Sequence, residues 1–171
     1  WLSQQAGGRP YRALVVRRGR IAGQWTRGIE PDAPARQASA GKSVFGCVLG
    51  IAVAEGVIDG ADAKVIDYYP ELMDVADGEG PKPGRFARSK DRDITFRQLI
   101  SNTSGYLKPR EVPGEVFHYQ TFGMNVLCHA IATAYGQYSS DSPRRLPGFG
   151  ALIEQKVRDP IGGRWEWEYT N

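Results

Sequence analysis

Residues 39 to 56 run Ser39-Ala40-Gly41-Lys42-Ser43-Val44-Phe45-Gly46-Cys47-Val48-Leu49-Gly50-Ile51-Ala52-Val53-Ala54-Glu55-Gly56. The stretch is apolar on nearly every side once its first turn is past. It closes on glycine, the residue that most readily ends a helix in a left-handed turn. The pattern predicts one long helix over 39–56, buried in the middle of the molecule. Its first turn also places a hydroxyl, Ser39, three residues before an amine, Lys42. At that spacing the two side chains share a face, so the amine can reach the hydroxyl. A helix start adds unpaired backbone N–H groups that suit a developing oxyanion.

Elements can be read outward from this helix. Upstream, Tyr11 to Arg17 and Ile21 to Arg27 are apolar, strand-like runs separated by Arg18-Gly19, which predicts an antiparallel hairpin over 11–27. Downstream, a short helix is expected within 62–69, then a loop rich in glycine, proline and charge over 74–90. Thr95 should cap a helix carrying Phe96, Leu99 and Ile100 on one face, with Asn102 to Gly105 stopping it. Further helices are predicted over 122–135 and 149–158, and the aromatic run Trp165, Trp167, Tyr169 has a strand-like spacing. Two strands followed by a helical region, 62–163, make an α+β protein.

Composition bounds the function. The chain has 171 residues, 41% hydrophobic and 24% charged, enough for one domain with a core. No apolar run approaches the roughly 20 residues that span a bilayer, so no membrane partner is expected. The net charge of +3 is carried by dispersed arginines, and the one cluster, Arg17, Arg18 and Arg20, is best read as a solvated turn, so nucleic acid is set aside. Two cysteines, Cys47 and Cys128, lie in apolar stretches where buried thiols are expected. The histidines, His118 and His129, show neither a recognisable acid partner nor a metal-ligand spacing, so neither a histidine triad nor a metal site is predicted. The compartment of this soluble chain, cytoplasmic or periplasmic, stays undecided.

Ser-x-x-Lys alone is weak: nine serines and six lysines produce roughly 0.3 such spacings by chance. Read without neighbours, Ser39 is better explained as an N-cap and Lys42 as a solvated lysine, although the helix dipole disfavours a cation there. A tyrosine such as Tyr119, just ahead of a buried helix, is likewise a plausible core residue on local grounds.

The ordered blocks carry more. Ser39-Ala-Gly-Lys42, Gly50-Ile-Ala-Val-Ala-Glu-Gly56, Tyr69-Pro-Glu-Leu72, Ile94-Thr-Phe-Arg-Gln-Leu-Ile100, Asn102-Thr-Ser-Gly105, Pro113-Gly-Glu-Val-Phe-His-Tyr119 and Arg158-Asp-Pro-Ile-Gly162 together resemble the serine hydrolases of the class C β-lactamase and penicillin-binding-protein superfamily. The match is nearest the esterase and 6-aminohexanoate-dimer-hydrolase-like branch. The resemblance implies a β-lactamase-like fold, an antiparallel sheet flanked by helices. It implies Ser39 as the acylated nucleophile, Lys42 as the lysine that helps deprotonate it, and Tyr119 as the tyrosine that passes a proton to the leaving group. It implies an ester, amide or β-lactam-like small-molecule substrate and no cofactor.

Two departures matter. Where the family usually has Tyr-x-Asn, this chain has Tyr119-Gln120-Thr121, a hydroxyl for an amide, which argues against β-lactam chemistry in particular. The third motif, on a strand that supplies the second oxyanion N–H, is absent. With Trp1 and Asn171 as its ends, the chain therefore resembles the N-terminal segment, 1–171, of one longer domain whose C-terminal strands are missing, and the remaining C-terminal part is an expected partner. Thr121, Tyr106 and Asn125 are candidate substrate contacts. Three functions stay open: a serine hydrolase, a penicillin-binding-like recognition module without turnover, and an inactive fragment.

Overall fold

The computed structural model describes residues 1–167. The chain folds as two compact units, Trp1–Ala38 and Ser39 onward.

In the first unit, a short helix α1 (Leu2–Gln5) precedes β1 (Tyr11–Arg17) and β2 (Arg20–Arg27), which pair antiparallel from Tyr11 opposite Arg27 to Arg17 opposite Arg20. The turn needs two left-handed residues in succession, and Arg18 (φ 51°) and Gly19 (φ 74°) supply them, the geometry whose twist matches that of the strands. A bulge lies between Val15 and Val16. Arg12 ties the following loop to the hairpin, donating to the carbonyls of Pro31 and Ala33. Leu14, Val15, Val16, Ile21 and Trp25 are all about half exposed or more.

The second unit is helical. Its longest helices are α2 (Ser43–Ala54) and α4 (Thr121–Ala134), with α3 (Phe96–Ile100) and α5 (Gly148–Ile153) shorter. Phe45, Val48, Leu49 and Ala52 of α2 meet Leu127, Ile131, Phe149 and Leu152 in one core. Phe45 meets Phe149 edge-on at 5.2 Å between ring centroids, a favoured aromatic geometry.

The structure corrects several expectations. The helix predicted over 39–56 begins at Ser43, because Ala38–Lys42 form a tighter 3-10 turn. Nor is that helix buried on all sides: Gly46, Cys47 and Gly50 face solvent, so Cys47 is exposed while Cys128 is buried. The small residues form the outer stripe and the large ones the inner, so apolar composition alone overstates the burial. The helix expected within 62–69 is a single 3-10 turn, Val65–Asp67, and the last helix passes at Glu154–Arg158 into a π-helical turn. Trp165 and Trp167 form no strand; they pack against the core instead. Tyr169 lies outside the described residues. The only sheet among the described residues is the two-stranded hairpin.

The cap on α3 is as predicted. The Thr95 hydroxyl accepts from the Gln98 N–H at 3.3 Å and the Gln98 side chain accepts from the Thr95 N–H at 3.0 Å, a reciprocal capping box. Thr95→Ala should cost about 1 kcal/mol, read as a lowered urea midpoint with unchanged slope; an unchanged midpoint would show that the cap is dispensable.

Candidate active site

The 3-10 turn is what brings Ser39 and Lys42 together. With 3.0 residues per turn, side chains at i and i+3 eclipse rather than merely sharing a face. Lys42 Nζ accordingly donates to Ser39 Oγ at 2.9 Å. Ala38, at φ 46°, turns the chain into this position, an uncommon conformation for a residue with a Cβ. Trp167 supports the turn from beside Gly41, where a Cβ would stand 3.3 Å from the indole ring. Ser39 is exposed and Lys42 half-buried, which leaves the hydroxyl open to an incoming molecule.

Tyr119 joins this pair from the segment before α4. The Lys42 ammonium stands 6.0 Å from the centre of its ring. The phenol ionises more easily than an ordinary tyrosine, first because it hydrogen-bonds with Ser39 and then because of the hydrogen bond and positive charge of Lys42, with Thr121 adding a smaller hydrogen bond; partial desolvation opposes the shift. Thr121, the first residue of α4, thus places its hydroxyl beside Tyr119, where the resemblance puts an amide. A cavity of about 240 Å³ opens here, lined by Lys42, Ser43, Gly46, Ile100, Asn102 and Tyr119 among others.

Tyr106 and Asn125 are not part of that cavity. They line a second one of about 200 Å³ with Tyr69, Glu71, Phe122 and His129. Tyr106 is buried, not a loop aromatic at a cleft edge: its hydroxyl donates to the Leu72 carbonyl, its ring stacks on Phe122 at 5.9 Å, and burial raises its phenol pKa well above the ordinary value. His129 stacks on Tyr138 at 4.2 Å, and desolvation lowers its pKa, so it is neutral near pH 7.

Sequence reading misses an acid beside His118. Glu111 Oε1 is 2.9 Å from His118 Nδ1, while Glu111 Oε2 accepts from Lys108 Nζ at 3.0 Å. Burial works against the ionised Glu111 carboxyl, but the hydrogen bonds and charges of Lys108 and His118 outweigh it and lower the pKa. Side chains seven residues apart on a helix lie two turns apart and out of contact, so only the folded loop reveals the pair. Among the described residues no group of three His, Cys, Asp or Glu side chains is placed to hold a metal ion, and no helix is long and apolar enough to cross a membrane.

The family model described as Beta-lactamase matches residues 5–171. The chain belongs to the beta-lactamase family. Among curated proteins, the Beta-lactamase-like protein 1 of Dictyostelium discoideum is 40% identical over 72 residues, which cover 39% of this chain and 11% of that protein. The chain therefore spans only a small part of the relative it matches. No solved structure matches it significantly. A mixed helix and strand fold with a small antiparallel sheet agrees with this membership.

Proposed function

We propose that this beta-lactamase-family chain is a serine hydrolase of small-molecule esters or amides, working through an acyl-enzyme on Ser39. The observation that carries the reading is the 2.9 Å hydrogen bond from Lys42 Nζ to Ser39 Oγ, with the Tyr119 ring centre 6.0 Å from the same ammonium. Lys42, in its amine form, takes the Ser39 proton as Oγ bonds to the substrate carbonyl carbon. Tyr119 hands a proton to the departing alkoxide or amine as the carbonyl–heteroatom bond breaks. Water then attacks the acyl carbon and gives a proton to the Tyr119 phenolate, the ester to Oγ breaks to release the acid, and the proton held by Lys42 returns to Ser39 Oγ. The hydroxyl of Thr121 in place of an amide favours the esterase and 6-aminohexanoate-dimer-hydrolase-like branch over β-lactam cleavage.

The test is intact-protein mass spectrometry after exposure to a fluorophosphonate, which reacts with activated serines. One adduct on the parent protein, absent from Ser39→Ala, is the expected result. An adduct that survives Ser39→Ala would overturn the assignment of the nucleophile. A recognition module is the second reading, favoured by the same Thr121 substitution; it predicts acylation by a chromogenic ester without subsequent release of acid.

A further inference from the structure

Tyr119 has no regular secondary structure to hold it. Residues 116–120 form neither helix nor strand, and Tyr119 is 51% exposed, so packing does not fix its ring. The backbone on both sides of Tyr119 is held by one residue of another loop. The His118 N–H donates to the Asn102 main-chain carbonyl at 2.8 Å, and the Gln120 N–H donates to the Asn102 side-chain Oδ1 at 3.1 Å. The backbone N–H groups of the residues on both sides of Tyr119 are thus tied to Asn102. We propose that Asn102 is the positioning residue for Tyr119, clamping the backbone N–H groups of both its neighbours so that its phenol stays beside Lys42 and the Ser39 turn. The inference rests on the serine-hydrolase reading for its catalytic consequence, though the clamp itself can be tested without turnover.

The residue type suits two demands at once. Asn102 ends α3 with φ 57°, a left-handed conformation that costs most side chains energy and that asparagine tolerates better than most. Glycine would take that backbone more easily but carries no side-chain carbonyl for the Gln120 N–H. Asn102 also lines the cavity shared with Lys42 and Tyr119, so the clamp lies at the site itself. Gln120 adds a second tie, its amide donating to Ser104 Oγ at 3.2 Å, within the same turn that Asn102 opens. The 102–105 turn and the 118–120 segment therefore meet through hydrogen bonds concentrated on Asn102.

The deciding experiment uses Asn102→Gly, which keeps the left-handed backbone and removes only the side-chain acceptor, together with Tyr119→Phe and the double variant. The rate of fluorophosphonate labelling is measured for each, and the tyrosine phenols are titrated by absorbance near 295 nm. Asn102→Gly should slow labelling by roughly tenfold, the scale of one lost oriented hydrogen bond, and should move the Tyr119 phenol back toward the ordinary tyrosine pKa. In the Tyr119→Phe background it should cost almost nothing, because a residue that acts through the phenol has nothing left to position there. An equal loss in both backgrounds, or a Tyr119 titration unmoved by Asn102→Gly, would overturn the proposal. If Ser39→Ala labels like the parent, the serine reading fails, and the titration still decides the clamp by itself.

Discussion

Lys42→Ala should slow acylation of Ser39 by about a thousandfold while leaving the fold intact. The lysine sits at the end of the 3-10 turn, half-buried, and its Nζ bonds Ser39 Oγ at 2.9 Å. A positioned proton acceptor contributes on the order of 10²–10⁴ in rate. Loss of the amine leaves the serine proton to solvent, and the free hydroxyl is a weak nucleophile. Little stability is at stake, because Ser39 and Lys42 are outside the core. The measurement is the fluorophosphonate labelling rate beside an unfolding curve. A labelling rate within threefold of the parent, with the fold unchanged, would make Lys42 a bystander and return the turn to the plain reading of an N-cap beside a solvated lysine.

The largest effect on stability is expected at Asp91, which no sequence pattern singles out. Asp91 is fully buried. Its Oδ2 accepts from the Arg88 N–H at 3.0 Å, and its Oδ1 accepts from Lys90 Nζ at 2.7 Å. Lys90 Nζ also donates to the Gly105 carbonyl at 2.9 Å. One carboxylate therefore closes its own 3-10 turn and, through Lys90, holds the 102–105 turn that borders the site. Asp91→Ala takes an acceptor from an amide N–H and from an ammonium together. Losing both hydrogen bonds of this buried carboxylate, while the partly exposed Lys90 keeps the Gly105 carbonyl, costs about 2 kcal/mol, more than the effect expected for the exposed ion pair of Lys64 and Asp93. Urea denaturation should show a midpoint shift of that size. A loss below about 1 kcal/mol would mean that water replaces the carboxylate with little penalty.

Asp91 also shows where sequence reading stops. Asp91-Arg92-Asp93 is a charged run, and charged runs are usually solvated. Whether one of its members turns inward depends on Arg88, Lys90 and Gly105 folding around it, which no local pattern announces. Tyr106 and Asn125 are a second case of placement that only the fold supplies. Both lie near family-like motifs and are natural candidates for substrate contact, yet they line a cavity other than the one shared by Lys42 and Tyr119. Tyr106 is 1% exposed, its hydroxyl occupied by the Leu72 carbonyl, a partner 34 residues away. The Glu111 and His118 pair is a third case: a contact between two loop residues leaves no periodic trace.

What the sequence by itself determined is local in range. The Arg18-Gly19 turn sets the hairpin, Thr95 with Gln98 starts α3, and the spacing of Ser39 and Lys42 puts amine and hydroxyl within reach. Each depends on backbone geometry over a few residues, where residue type and spacing leave few alternatives. The ordered family-like blocks extended that reading to the beta-lactamase family without any geometry. Only the tertiary structure decided which face of α2 is buried, that Asp91 turns inward, that Tyr119 reaches the Ser39 and Lys42 pair, and that Asn102 holds it there. Those outcomes join residues far apart in sequence. Their free energy comes from desolvation and from hydrogen bonds that exist only when distant segments pack together, so no short stretch of the chain contains them.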